Sequence, residues 1–217
     1  MVNPSGICYV LAAMDPGETF TRKKRDRDIV IAADAGLRYA DRIGLCPDVV
    51  VGDFDSLGYI PDGIESVVFP KEKDDTDTML AVRYGMKSGY KKFALIGAVG
   101  GRPDHSFANI QTLSFIAANG GIGMIDGDGF SMTVLSRSVV TFPKESKGKV
   151  SVFSLSEKSV VSICGLKYHA DSIEICFDFP IGVSNEFVGA DSSIAVRSGV
   201  ALIMSDQPIT FEMIGEI

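Results

Sequence analysis

The stretch Val50-Val51-Gly52-Asp53-Phe54-Asp55-Ser56 is an apolar run that ends in a glycine and then in two carboxylates. Short unbroken apolar runs are the pattern of strands buried on both faces of a parallel sheet. Polar residues just after such a run lie at the carboxyl end of the strand, where open α/β sheets bind ligands. In extended chain residues two apart share a face, so Asp53 and Asp55 project together from the end of the strand. Two like charges side by side need a counter-charge, and carboxylate oxygens suit Mg²⁺. The same residues also fit a turn, since aspartate readily bonds its own backbone there. The metal reading points to chemistry on phosphates.

The flanking sequence repeats the pattern. Apolar runs at Ile7–Ala13, Ile29–Ala33, Glu65–Phe69, Phe93–Ile96 and Ile122–Ile125 read as strands. Thr76–Ser88 and Pro103–Asn119 carry helical spacing, with Met79, Leu80, Val82, Arg83 and Met86 on one face and Phe107, Ile110, Leu113 and the Phe115-Ile116 pair on the other helix. Strands alternating with helices predict an α/β, Rossmann-like parallel-sheet domain over residues 1–128. Beyond Gly127-Asp128-Gly129 the helical period is lost. Runs at 131–135, 139–142, 150–155, 159–163, 172–177, 193–197, 200–205 and 209–214 are punctuated by Pro and Gly. They predict an antiparallel β-sandwich over residues 129–217.

The 217 residues are 46% hydrophobic and 23% charged, enough for a sizeable core. A net charge of −7 argues against a nucleic-acid partner. Arg22-Lys23-Lys24-Arg25 is flanked by Asp26 and Asp28 and reads as a solvated face. Cys8, Cys46, Cys164 and Cys176 form no zinc-ligand spacing, and Cys8, Cys164 and Cys176 read as small buried hydrophobes. No run approaches the length of a membrane span. A reducing cytoplasm is expected.

Four further segments carry candidate chemistry. Lys71-Glu72-Lys73-Asp74-Asp75-Thr76-Asp77 fits a helix cap with first-turn acids. It also offers Asp74 and Asp77 as a second carboxylate cluster, with Lys71 and Lys73 as point charges for phosphate. Gly97 to His105 reads as a strand end, a glycine loop and a helix start with Pro103 in the first turn. There Gly100 and Gly101 let a ligand approach the backbone, and Arg102 offers a fork to phosphate oxygens. Neither a P-loop nor a G-x-G-x-x-G fingerprint is present. Asp34, after the second strand, fits a ribose contact or a helix cap equally well. Gly182-Val183-Ser184-Asn185-Glu186-Phe187 fits a turn or a set of polar groups that read a heterocycle.

Taken in order, Ala33-Asp34-Ala35-Gly36, Val51–Ser56, Lys73–Asp77, Gly100-Gly101-Arg102-Pro103-Asp104-His105, Gly165-Leu166-Lys167-Tyr168 and Ser184–Phe187 resemble the bacterial thiamine pyrophosphokinases. Ala35 replaces a glycine common in that family, and the match near residues 12–17 is poor. The resemblance implies transfer of the pyrophosphoryl group of ATP to the hydroxyl of thiamine, giving thiamine diphosphate and AMP. It implies Mg²⁺ held by Asp53, Asp55 and Asp77, with Asp74 as ligand or support. Arg102, Gly100 and Gly101 would hold phosphates, Asp34 the nucleotide side, and Asp104 and His105 would orient the site. Ser184 and Asn185 would bond the aminopyrimidine. A homodimer with active sites shared between subunits is implied as well. Two other classes share part of the pattern. One is a metal-dependent phosphohydrolase of the haloacid-dehalogenase type. Its aspartate pair normally follows the first strand and has a hydroxyl residue where Leu57 stands here. The other is a thiamine or nucleotide sensor without catalysis.

Overall fold

The computed structural model describes residues 6–17, 20–72 and 74–217. The chain forms two compact units, residues 1–128 and 129–217. In the first, strands β1 (Ile7–Leu11), β2 (Ile29–Ala33), β3 (Val49–Gly52), β4 (Glu65–Val68), β5 (Lys92–Ile96) and β6 (Ile122–Gly127) lie in the order β6-β5-β1-β2-β3-β4. Each pairs in parallel with its neighbours; Cys8, for example, stands beside Ile29 on one side and Phe93 on the other. Val10, Ile31, Val50 and Leu95 are fully buried along the middle of the sheet. Each such side chain contributes about 1.5–3 kcal/mol by leaving water, so the apolar runs that predicted the strands also hold them together.

Three helices complete this unit: α1 (Ala40–Ile43), α2 (Asp77–Lys87) and α3 (Pro103–Ala118). A 3₁₀ segment, Asp34–Tyr39, leads into α1. The Thr76 hydroxyl caps α2 by accepting from the Met79 amide at 3.2 Å, and Pro103 opens α3. Both long helices bury slightly different faces from those the spacing predicted. In α2 the buried residues are Thr78, Leu80, Ala81, Val82 and Gly85. In α3 they are Asn109, Thr112, Leu113 and Ile116, while Phe107 is exposed.

The chain moves outward from β1 through β4 and then returns to β5 on the other side of β1. The strand order therefore reverses between β1 and β5, and the crevice outside their carboxyl ends is where such sheets take ligands. The loops there are stitched together: the Ala12 amide donates to Ile96 O at 2.8 Å and the Met14 amide to Gly97 O at 3.0 Å.

The strands of the second unit pair antiparallel, in two sheets. One runs β12 (Asn185–Glu186), β9 (Lys149–Ser154), β14 (Ala201–Ser205), β7 (Phe130–Leu135). The other runs β11 (Ala170–Cys176), β10 (Lys158–Cys164), β13 (Ser192–Ser198), β8 (Ser138–Phe142), β15 (Ile214–Glu216). Val150 and Val152 of the first sheet and Val161, Ile175 and Ile194 of the second line a common apolar cavity of about 470 Å³, as expected for a sandwich.

Two details differ from the sequence reading. Residues 209–214 do not form one strand: Phe211–Met213 makes a 3₁₀ turn and β15 starts only at Ile214. The Met213 amide folds back to Thr210 O at 3.1 Å, which breaks the extended chain. Cys164 is exposed and Cys176 half-buried, because both lie at strand ends; Cys8 alone of the three is buried, and burial pushes its thiol pKa up.

Gly36 is required by close packing. A Cβ there would lie 2.0 Å from Leu11 O, at the end of β1. Gly36→Ala is expected to destabilise the first unit by about 1–3 kcal/mol, the usual cost of overpacking; urea denaturation measures it.

Candidate active site

Three carboxylates converge at the carboxyl edge of the parallel sheet. Asp34 follows β2, Asp53 follows β3, and Asp77 is the first residue of α2. Each offers one oxygen, and the three oxygens lie within 4.8 Å of one another. Asp34 is only 6% exposed, and its Oδ1 has no hydrogen-bond partner. A buried carboxylate oxygen left unpaired costs free energy unless something offsets it. An all-oxygen set of this kind fits a hard divalent cation such as Mg²⁺.

The backbone is shaped to bring these groups together. Asp34 adopts φ +42°, in the left-handed region that non-glycine residues seldom occupy. A Cβ on Gly52 would stand 3.0 Å from Asp34 Cβ, so the missing side chain lets the end of β3 close on Asp34. Thr76 fixes the start of α2 and with it Asp77.

Asp55 is not part of this trio. Strand β3 ends at Gly52, and Phe54 takes φ +61° with its ring buried. The extended geometry that would align Asp53 with Asp55 is therefore absent. The Asp55 amide instead donates to Asp53 Oδ1 at 3.2 Å, an Asx turn. The Asp55 carboxylate is exposed and pairs with Lys71, whose pKa it raises. Asp34, whose role the sequence left open between ribose contact and cap, stands in the trio with Asp53 and Asp77. Asp74 is exposed, and the neighbouring Asp75 pairs with Arg83 at 2.8 Å. Lys73 lies outside the described residues.

The glycine loop sits at the carboxyl end of β5. Gly100 and Gly101 have φ +116° and +58°. Two residues that the sequence reading passed over hold this loop. Asn109, buried on α3, donates to Ala98 O at 2.7 Å, and Ser106 Oγ accepts from the Gly100 amide at 3.1 Å. For Asn109 the signal was an amide one residue before Ile110, on a helix whose inner face is mostly apolar. Arg102 and Asp104 form a local two-bond pair, Nη2 to Oδ2 at 2.6 Å and Nε to Oδ1 at 3.2 Å. His105 is exposed beside them.

In the second unit, Ser184 has φ +60° and its amide donates to Ser151 Oγ at 2.9 Å. The buried Asn185 clamps the backbone of Tyr168: its Oδ1 accepts from the Tyr168 amide at 3.0 Å and its Nδ2 donates to Tyr168 O at 2.8 Å. Asn185 also lines the cavity of the sandwich.

A model of the thiamin pyrophosphokinase catalytic domain matches residues 20–121, and a model of that enzyme's vitamin B1 binding domain matches residues 137–201. The chain belongs to the thiamin pyrophosphokinase family. Family membership makes it an ATP-dependent transferase that passes pyrophosphate to thiamine. Among its relatives, the thiamine pyrophosphokinase of Bacillus subtilis is 25% identical over 182 residues, covering 80% of this chain and 85% of the relative. Thiamin pyrophosphokinase 1 of Caenorhabditis elegans is 24% identical, covering 73% and 69%. The crystal structure of the Bacillus subtilis thiamine pyrophosphokinase superposes with a TM-score of 0.78 at 20% identity, covering 93% of this chain and 98% of that one. A family protein from Enterococcus faecalis gives 0.78 at 24%, covering 94% and 100%. These structures share the fold of a thiamin pyrophosphokinase.

The Arg102 side chain holds the Asp104 carboxyl below its ordinary range. The depressed pKa means the pair is intact at neutral pH and is lost as pH falls through the folded-state value. In Arg102→Met, the Asp104 titration followed by carboxyl ¹³C NMR is expected to move up toward the ordinary value of about 3.9.

Proposed function

We propose that Asp34, Asp53 and Asp77 hold the Mg²⁺ with which this chain transfers the pyrophosphoryl group of ATP to thiamine. The observation that carries the reading is the buried Asp34, one oxygen of which has no hydrogen-bond partner, clustered with two further carboxylates. Bound there, the ion neutralises charge on the phosphate oxygens. The crevice at the ends of β1 and β5 takes the nucleotide, in keeping with the switch-point rule. The Gly101 amide and the guanidinium of Arg102 receive phosphate oxygens, on a loop that Gly100 shapes and whose Gly100 amide is held by Ser106. Asp104 and His105 orient that group. Asp55, through Lys71, and Asp74 form the outer charge of the site.

The hydroxyl oxygen of thiamine bonds to the β-phosphorus while the bond from that phosphorus to the AMP oxygen breaks. In such transfers positioning and electrostatics supply most of the rate. Ser184 and Asn185 belong to the thiamine side. Two of the hydrogen-bonding capacities of the Asn185 amide are taken up by Tyr168, so its part is to hold the Tyr168 backbone and to offer its remaining N–H to the aminopyrimidine.

A homodimer with active sites shared between subunits completes the proposal. Its support is a concentration of exposed apolar side chains in residues 168–188, among them Tyr168, Phe177, Phe179 and Ile181, each more than half exposed. Apolar groups massed in this way favour cover by another chain. No helix among the described residues is long and apolar enough to cross a membrane. A cytoplasmic location is proposed with it, and the four unpaired thiols suit a reducing compartment.

Incubation with ATP, Mg²⁺ and thiamine should yield AMP and thiamine diphosphate in equal amounts. Release of inorganic phosphate in place of AMP would assign hydrolysis instead. Asp53→Asn is expected to cut turnover by about 10²-fold or more, with an unchanged circular dichroism spectrum. Near-normal Mg²⁺-dependent turnover in that variant would remove Asp53 from the metal site.

A further inference from the structure

We propose that Arg38 and Arg42 are positioning residues that brace the carboxylate site, an inference that rests on the metal reading above. Arg38 Nη2 donates to the Ser56 carbonyl oxygen, in the turn that carries Asp53. Arg42 Nη2 pairs with Asp15 Oδ1, in the loop after β1. Both arginines project from the helical segment 34–43, which starts at Asp34 itself. One short segment therefore presents Asp34, grips the turn of Asp53 and grips the loop at the switch point.

That segment is anchored in the core. Ala40 and Ile43 are buried in the core, and Gly36 packs directly on the end of β1. The turn after β3 is held from within by the buried Phe54 ring, by the 3.2 Å Asx bond from the Asp55 amide and by a 2.8 Å bond from the Gly58 amide to Phe54 O. Its backbone also passes through φ +61° at Phe54, a conformation that persists only when its surroundings impose it. The bond from Arg38 adds a restraint from outside the turn. The Asp15 loop is held in the same way: Asp15 Oδ1 accepts from the Gly17 amide at 2.9 Å and from Arg42. The Arg42 guanidinium lies 5.3 Å from the Tyr39 ring centroid, which limits its own freedom.

Exposed contacts of this kind add little to global stability. What they change is the spacing between carboxylates carried on separate strand ends. The test compares Arg38→Met and Arg42→Met with Lys24→Met. Lys24 pairs with Asp48, a similarly exposed ion pair that lies before β3, at the opposite edge of the sheet.

Arg38→Met is expected to speed hydrogen exchange at the Asp55 and Gly58 amides. It should also weaken Mn²⁺ binding, followed by electron paramagnetic resonance, by about tenfold, the usual size of an outer-shell effect. Arg38→Lys should recover most of the affinity, because Ser56 O needs a single donor. Arg42→Met should raise KM for ATP more than it lowers kcat. Lys24→Met should leave all of these unchanged. Normal exchange and normal Mn²⁺ affinity in Arg38→Met would overturn the inference. If Asp53→Asn keeps full Mn²⁺ affinity, the metal reading fails by itself, and amide exchange in Arg38→Met still decides whether the arginine braces the turn.

Discussion

Three carboxylates held within 4.8 Å of one another repel, and much of the first unit is arranged to keep them there. Water would ordinarily screen such a cluster, yet Asp34 is almost fully buried with one oxygen unpaired. Folding therefore retains an unfavourable local arrangement against the large favourable burial of Val10, Ile31, Val50 and Leu95. Left-handed backbone at Asp34 and Phe54 adds further strain at the same edge. Backbone strain and like charges collected at one edge fit the Mg²⁺ site proposed there.

The parallel sheet makes this convergence possible. Because every strand from β1 to β6 runs the same way, their polar ends share one edge. Residues far apart in sequence, 34, 53 and 77, then meet without any long loop. Glycine supplies the final approach: Gly52 lets β3 close on Asp34, and Gly97 at φ +65° lets the β5 loop pass within reach of Met14 O. An antiparallel sheet would send alternate strand ends to opposite edges and scatter the same residues.

This division explains which features the sequence made legible. Buried parallel strands are short apolar runs whatever surrounds them, so β2 was readable to the residue and β3, β5 and β6 nearly so. The starts of α2 and α3 were readable from Thr76 and Pro103, whose capping chemistry is local. The grouping of Asp34 with Asp53 and Asp77 was not, because it depends on strand order and not on spacing. The alignment of Asp53 with Asp55 failed for a local reason: the buried ring of Phe54 and its positive φ turn the chain just where extension was assumed. Likewise, the Ser184-Asn185 pair was recognised as polar, but the clamp on Tyr168 joins residues 17 apart and has no signature in either segment.

The ion pairs of Lys71 and Arg102 bear on which anion the proposed site would take. Lys71 is paired with Asp55 and Arg102 with Asp104, in a chain whose net charge is −7. An anion that uses these side chains must displace a carboxylate from each. The pairs are exposed, so solvent screens them and the exchange costs little. A singly charged anion gains nothing by it, since it replaces one carboxylate-like charge with another. A polyphosphate carries more charge and more acceptor oxygens, and can engage an arginine fork, backbone amides and a bound cation together. On the function proposed here, the resting ion pairs give way more readily to a polyphosphate than to a singly charged anion.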